Sequence, residues 1–296
     1  MFVLNTIAHE TIWGGQRLLA YSEEPCARVG HLYSVYGTEE SSCKILSGEN
    51  KGATLYQYFL RIKDRYGWNE YSAFPISVAL VDAAADLSIQ VHPSDSCAAK
   101  LEGAAKGKNE SFYFLAAPPD HKMVCACACG SINEFQEMIR EKRYLETTKS
   151  VRVSEEDYVF VPAGTLHSLQ AGSLVYEIEE ICDFTYRFYD YDRIDAAGNK
   201  RPLHTGKALS AIEVGNAGEV KRYQPGCEIV ERYYATKLLE NQAYYHNESN
   251  CIECLTVLSG ALEIDGVQAG IGRTVILEPG DCVQQQIKKA IVARIR

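Results

Sequence analysis

The feature that most constrains this chain is its rhythm. Short apolar or alternating runs recur along its length, and Gly, Pro, Asn and Asp interrupt them before any run grows long. Val78–Val81, Leu87–Val91, Ser111–Leu115, Met123–Ala128, Tyr158–Val161, Leu174–Ile178, Cys254–Leu258, Leu262–Ile264 and Thr274–Leu277 read as strands. Strands this short, joined by turns, predict a mainly β chain of sandwich or barrel type. Helical pattern is local. Ser131-Ile-Asn-Glu134 has the form of a capping box, and Phe135, Met138 and Ile139 follow at helical spacing. Leu55–Arg65 and Ser96–Leu101 are the other short helices expected.

One stretch is echoed. Glu156-Asp157-Tyr-Val-Phe-Val-Pro162-Ala-Gly164 returns loosely as Gly272-Arg-Thr-Val-Ile-Leu-Glu-Pro279-Gly280-Asp281, each copy after a run of strands. A small β-barrel occurring twice would produce that pattern. Thr165-Leu166-His167 follows the first copy, whereas no histidine follows the second. The chemistry is therefore expected in the first barrel, with a metal-free barrel after it. The Gly- and Asn-containing stretch Val214–Glu219 places the boundary between units of residues 1–215 and 216–296.

Composition excludes several classes. Thirty Lys and Arg against 39 Asp and Glu give a net charge of -9, which offers no clustered basic surface for nucleic acid. No apolar run reaches the ~18 residues of a membrane helix; Asp82 breaks the longest, Phe74–Ala85. Met1–Glu10 lacks a basic start and an apolar core, so no secretory signal is read there. Eleven cysteines without such a signal point to reduced thiols and a cytoplasmic setting.

The residues that carry chemistry lie in Gln90-Val-His92-Pro93, Gly107-Lys108-Asn109-Glu110 and Pro162-Ala-Gly-Thr-Leu-His167. On a strand, Gln90 and His92 point to one face, and Pro93 ends the strand at its rim. Glu110 starts the next strand and His167 leaves a tight turn. Two imidazoles, a carboxylate and an amide converging in one barrel suit a borderline divalent metal such as Zn²⁺, with Fe²⁺, Co²⁺ or Mn²⁺ as alternatives. Cys125-x-Cys127-x-Cys129 and Cys251-x-x-Cys254 lack a second half at zinc-site spacing and read as small buried hydrophobes.

These motifs, with Thr185-Tyr-Arg187-Phe-Tyr-Asp-Tyr-Asp-Arg193, Ile12-Trp13-Gly14-Gly15 and Leu80-Val-Asp82, resemble the short bacterial form of class I mannose-6-phosphate isomerase over residues 10 to 290 or so. The resemblance implies two cupin-type (jelly-roll) β-barrels and one zinc ion per chain. It also implies interconversion of mannose 6-phosphate and fructose 6-phosphate. By motif match, Gln90, His92, Glu110 and His167 take the zinc positions. Arg187 and Lys108 take catalytic or substrate-contacting positions, and Trp13 and Asp183 take pocket positions. Such a reaction moves a proton between C1 and C2 through an enediolate, which calls for a Lewis acid, a fixed cation and a positioned base. Arg187 supplies a permanent cation; a lysine close to a metal, such as Lys108, is expected to have its pKa lowered.

Two positions depart from the family's pattern. Gly30-His31-Leu32-Tyr33 stands where Gly-Glu-x-Trp is usual, and Ala79 stands where a pocket lysine is usual. Both changes remove charge from the expected pocket. They leave open an isomerase of a different sugar or sugar phosphate, and a metal-containing cupin that binds a sugar without turning it over.

Overall fold

A computed structural model describes residues 1–195 and 197–296. The described residues are mainly β, with four short α-helices among them at Leu55–Tyr66, Asp95–Glu102, Ile132–Arg140 and Thr205–Ala211. No helix among the described residues is long and apolar enough to cross a membrane. The chain falls into two compact units that are not consecutive halves. One comprises residues 1–10, 17–80 and 223–296, and the other residues 11–16 and 81–222. The second unit ends at Arg222, and residues 17–80 group with the C-terminal segment rather than with the motifs that follow them.

In the first unit, a six-stranded sheet runs in the order Phe2–Val3, Thr274–Leu277, Glu253–Ser259, Ile287–Ile295, Tyr234–Gln242 and Glu228–Val230. The N-terminus is part of it, since Phe2 pairs with Ile276 and Val3 with Val275. One face packs Val3, Leu239, Leu255, Val257, Val275, Leu277, Ala290 and Val292 into an apolar core. The two nine-residue strands, Tyr234–Gln242 and Ile287–Ile295, were not legible as strands. Their lysines and Glu240 interrupt the apolar run, although the two pair along almost their whole length. Thr54 and Gln57 form a full capping box on the helix Leu55–Tyr66, which Gly67 ends in the left-handed region at φ 71°.

In the second unit, Glu219–Arg222, Asp157–Val161, Glu110–Ala116 and Leu174–Glu180 are antiparallel neighbours in that order. Ile89–Val91 pairs with Tyr186–Tyr189, and Lys122–Cys127 with Thr148–Arg152. Ile89, Val91, Phe135, Leu166, Tyr186, Phe188 and Ala208 make this unit's core. Ser131 caps the helix Ile132–Arg140 by accepting from the Glu134 N–H at 3.2 Å. The reciprocal half of the expected box is displaced by one residue: the Glu134 carboxylate accepts from Gly130 N–H at 2.7 Å instead.

Candidate metal centre

Backbone contacts bring the three motifs together. His92 lies one residue past the strand Ile89–Val91, and its carbonyl accepts from Gly164 N–H at 2.8 Å. Lys108 N–H donates to Pro93 O at 3.0 Å. A Cβ on Gly107 would collide with the backbone of Pro93 and Ser94, so only glycine allows Lys108-Asn109-Glu110 to lie so close to His92. Asn109 then joins three segments. Its Oδ1 accepts from Ala163 N–H at 2.9 Å, and its backbone N–H donates to Glu180 Oε2 at 3.0 Å. The turn after Pro162 is closed by Gly164 at φ 84°, a conformation that L side chains rarely adopt. His167 next exchanges two backbone hydrogen bonds with Gln90, at 2.9 and 3.0 Å.

Glu110 lies between the two imidazoles. Its Oε2 is 3.1 Å from His92 Nε2 and its Oε1 is 2.9 Å from His167 Nε2. Each ring is oriented from behind by a backbone carbonyl: His92 Nδ1 lies 3.1 Å from Phe184 O, and His167 Nδ1 lies 2.9 Å from Thr165 O. A carbonyl only accepts, so each Nδ1 carries the hydrogen, and in that tautomer Nε2 is the nitrogen left to face the carboxylate. Burial and the Lys108 charge hold His92 down to about 4, so it is neutral near pH 7. Burial opposes ionisation of Glu110, and positive charge on the side of His167 and His92 is what holds its carboxyl well below the ordinary range. Acceptor nitrogens facing acceptor oxygens at such distances repel one another unless a positive centre lies between them. A divalent cation fits that donor set, and the carbonyls behind the imidazoles are the partners that fix metal-binding tautomers. His92, Glu110 and His167 could hold a metal ion. Gln90 Nε2 is 3.3 Å from His167 Nε2, and turning the amide over would present its oxygen at the same place.

A second group of charges surrounds this triad, and sequence reasoning missed it. Glu179 pairs in register with Glu110, and Glu177 lies two residues earlier on the same face of the strand Leu174–Glu180. Glu110, Glu177 and Glu179 bring carboxylate oxygens within 4.8 Å of one another. The buried Lys108 ammonium forms an ion pair with Glu179 and lies 3.9 Å from Glu110 Oε2. Burial works to lower the Lys108 pKa, but Glu179, Glu110 and Glu177 together hold it above its ordinary value. Among these side chains Lys108 presents a charged donor. Burial, then Glu179 and Glu110, push Glu177 well above the carboxylate range, so it keeps its proton. The available signal was the alternation in Tyr176-Glu177-Ile178-Glu179, which puts two carboxyls on one face of a buried strand.

Arg187 pairs with Gln90 across antiparallel strands, so the two side chains share a face. Its Nη1 donates to Pro202 O at 3.0 Å, whereas its Nε is buried with no hydrogen-bond partner. Trp13 is buried, and its carbonyl accepts from Ala84 and Ala85 N–H at 2.9 and 3.2 Å. Gly15 N–H donates to Asp82 O at 3.1 Å, which joins the first motif to the one around Asp82. Asp183 is exposed on the turn before the strand Tyr186–Tyr189. Cys125, Cys127 and Cys129 are buried, and burial pushes the Cys125 thiol up to about 12. They pack as small hydrophobes, and neither group of possible metal ligands contains a cysteine.

No family model matches the chain. It is 33% identical over 232 residues to the mannose-6-phosphate isomerase ManA of Bacillus subtilis, covering 78% of this chain and 73% of that protein. It is 29% identical over 215 residues to the mannose-6-phosphate isomerase of Streptococcus mutans, covering 72% of this chain and 67% of that one. Among solved structures, the mannose 6-phosphate isomerase from B. subtilis aligns with a TM-score of 0.84 at 25% identity, covering 99% of this chain and 98% of its own. A mutant form of phosphomannose isomerase from Salmonella typhimurium has the same fold, with a TM-score of 0.69 at 12% identity over 100% and 99% of the two chains.

Proposed function

The chain belongs to the mannose-6-phosphate isomerase family and is an enzyme, and on that premise we propose that it interconverts mannose 6-phosphate and fructose 6-phosphate with one Zn²⁺ per chain. Gln90, His92, Glu110 and His167 are the ligands in this reading. The observation that carries it is the pair of imidazole Nε2 atoms facing the Glu110 carboxylate at 2.9 and 3.1 Å. Two cupin-type barrels divide the work: the metal lies within residues 1–215, and the barrel around 216–296 is metal-free. A small sugar phosphate as partner and a cytoplasmic setting belong to the same reading.

The bound cation would supply Lewis-acid stabilisation of the negative charge that develops on the sugar's C1 and C2 oxygens. The protein's own groups do the rest. Arg187 has an unpaired buried Nε–H to offer the same developing oxyanion, as an electrostatic donor that needs no reorganisation. Lys108, held as an ammonium by Glu179, donates to a sugar oxygen in its charged form. Glu177, protonated and buried beside it, can donate its proton to the sugar and take it back from there, which leaves the total charge of site and substrate unchanged. Trp13 and Asp183 complete the pocket as substrate-contacting groups.

A coupled assay of the metal-loaded protein with mannose 6-phosphate, before and after chelation, tests the reading. Turnover that chelation abolishes and Zn²⁺ restores is expected. An inactive, fully metallated protein would overturn it. Ala79 and His31-Leu32-Tyr33 favour one second reading, an isomerase of another sugar phosphate, because they remove charges where the family usually has them. A panel of aldose and ketose phosphates separates the two.

A further inference from the structure

The segment between Lys200 and the helix Thr205–Ala211 runs back along the strand that carries Arg187. Arg187 N–H donates to His204 Nδ1 at 3.1 Å, and His204 N–H donates to Arg187 O at 2.8 Å. Between them, Pro202 O accepts from the Arg187 guanidinium at 3.0 Å. The backbone and one end of the side chain are thus held by the same short stretch. Burial and the nearby Arg187 charge lower the His204 pKa, consistent with a neutral ring whose Nδ1 accepts.

This stretch is fixed at its other end. Arg201, adjacent to Pro202, donates from Nε and Nη2 to the two oxygens of Asp190 at 2.8 and 2.6 Å. Asp190 is buried and also takes Arg193, whose Nη1 reaches Asp86 O. Burial opposes its ionisation, yet Arg201 and Arg193 hold its carboxyl below the ordinary range. A bidentate arginine–carboxylate pair sets direction as well as distance. The Asp190–Arg201 pair therefore sets where the Pro202 carbonyl lies, and that carbonyl sets where the guanidinium of Arg187 points.

From this we infer that Arg201 is a positioning residue, which acts through the Pro202–His204 strap to aim Arg187 at the substrate. The inference rests on the isomerase reading for its effect on turnover, but the strap itself is tested without it. Three variants are compared with the metal-loaded parent: Arg201→Ala, Arg201→Lys and Asp190→Asn. Two quantities are measured, amide hydrogen exchange at Arg187 and His204, and kcat and KM for mannose 6-phosphate.

Arg201→Ala is expected to speed exchange at both amides at least ~10-fold and to lower kcat ~10-fold with little change in KM. Loss of an aimed transition-state donor has that signature. Arg201→Lys keeps the charge but not the fork, so it should recover only part of the loss. Asp190→Asn keeps the shape of the carboxylate and removes its charge, which provides an intermediate case if Arg201→Ala does not fold. In an Arg187→Ala background the Arg201 change should cost almost nothing, because the two act in series. Parental exchange at Arg187 and His204 in Arg201→Ala overturns the strap, whatever the activity. An undiminished loss of turnover in the Arg187→Ala background overturns the route through Arg187. An inactive parent whose amides respond as expected would count against the isomerase reading and leave the strap standing.

Discussion

Two strands in this molecule end in the same turn and lead to opposite outcomes. Asp157–Val161 follows Glu156 at φ 69° and runs into Pro162-Ala-Gly164, while Thr274–Leu277 follows Gly272 at φ 80° and runs into Pro279-Gly280. After the first turn the chain supplies His167, and the neighbouring strands supply Glu110, Glu177 and Glu179. After the second it supplies Asp281, whose carboxylate pairs with the N-terminal ammonium at 2.6 Å, and one face of the sheet behind it packs Val, Leu, Ile and Ala side chains into an apolar core. A backbone device therefore does not make a site. What makes one is a set of donors buried where their desolvation cost can be met only by one another or by a cation.

The comparison breaks most visibly if the first region loses its ligands. His92→Ala with His167→Ala should remove most bound metal and lower turnover ~10³-fold or more, about 4 kcal/mol of transition-state stabilisation. Far-UV circular dichroism should still report a folded chain. Stoichiometric metal in the double variant would mean that the ligands lie elsewhere. Arg187→Ala should leave metal content unchanged and lower turnover at least ~10-fold, about 1.4 kcal/mol. Unchanged kinetics would remove Arg187 from the chemistry.

On the other side of the comparison, Leu255→Ala in the aliphatic sheet should cost about 2–5 kcal/mol in a denaturant titration. Metal per folded chain should not change. If metal is lost in step with stability, the two regions are not functionally distinct.

A pH-dependent effect sharpens the first region. Burial, partly offset by Asn109, raises the Glu180 carboxyl from 4.5 to about 7. Between those values the unfolded chain has released the proton and the folded chain has not, so stability is fully present below about 4.5 and falls as pH rises toward 7. Glu180→Gln can still accept from Asn109 but does not titrate. It should flatten the stability profile over that interval by about 1–3 kcal/mol. An equally steep slope in the variant would assign the titration to another group.

Much of this was legible from residues alone. Strand density predicted a mainly β chain because side-chain alternation and turn residues are local properties, set by steric limits within a few residues. The spacing of Gln90, His92, Glu110 and His167 named the possible ligands, since His92, Glu110 and His167 each stand at a strand end or a tight turn marked by Pro or Gly, and Gln90 shares a face with His92. Other features depended on register and packing. Glu179 lies opposite Glu110 because strands far apart in sequence pair at one offset and not another, and a slip of its strand by one residue would turn Glu179 to the other face. That offset gives Lys108 an ion-pair partner. It also leaves Glu177 protonated. The grouping of residues 17–80 with the C-terminal segment was likewise invisible, since burying apolar faces is a property of the whole chain and leaves no mark at a boundary.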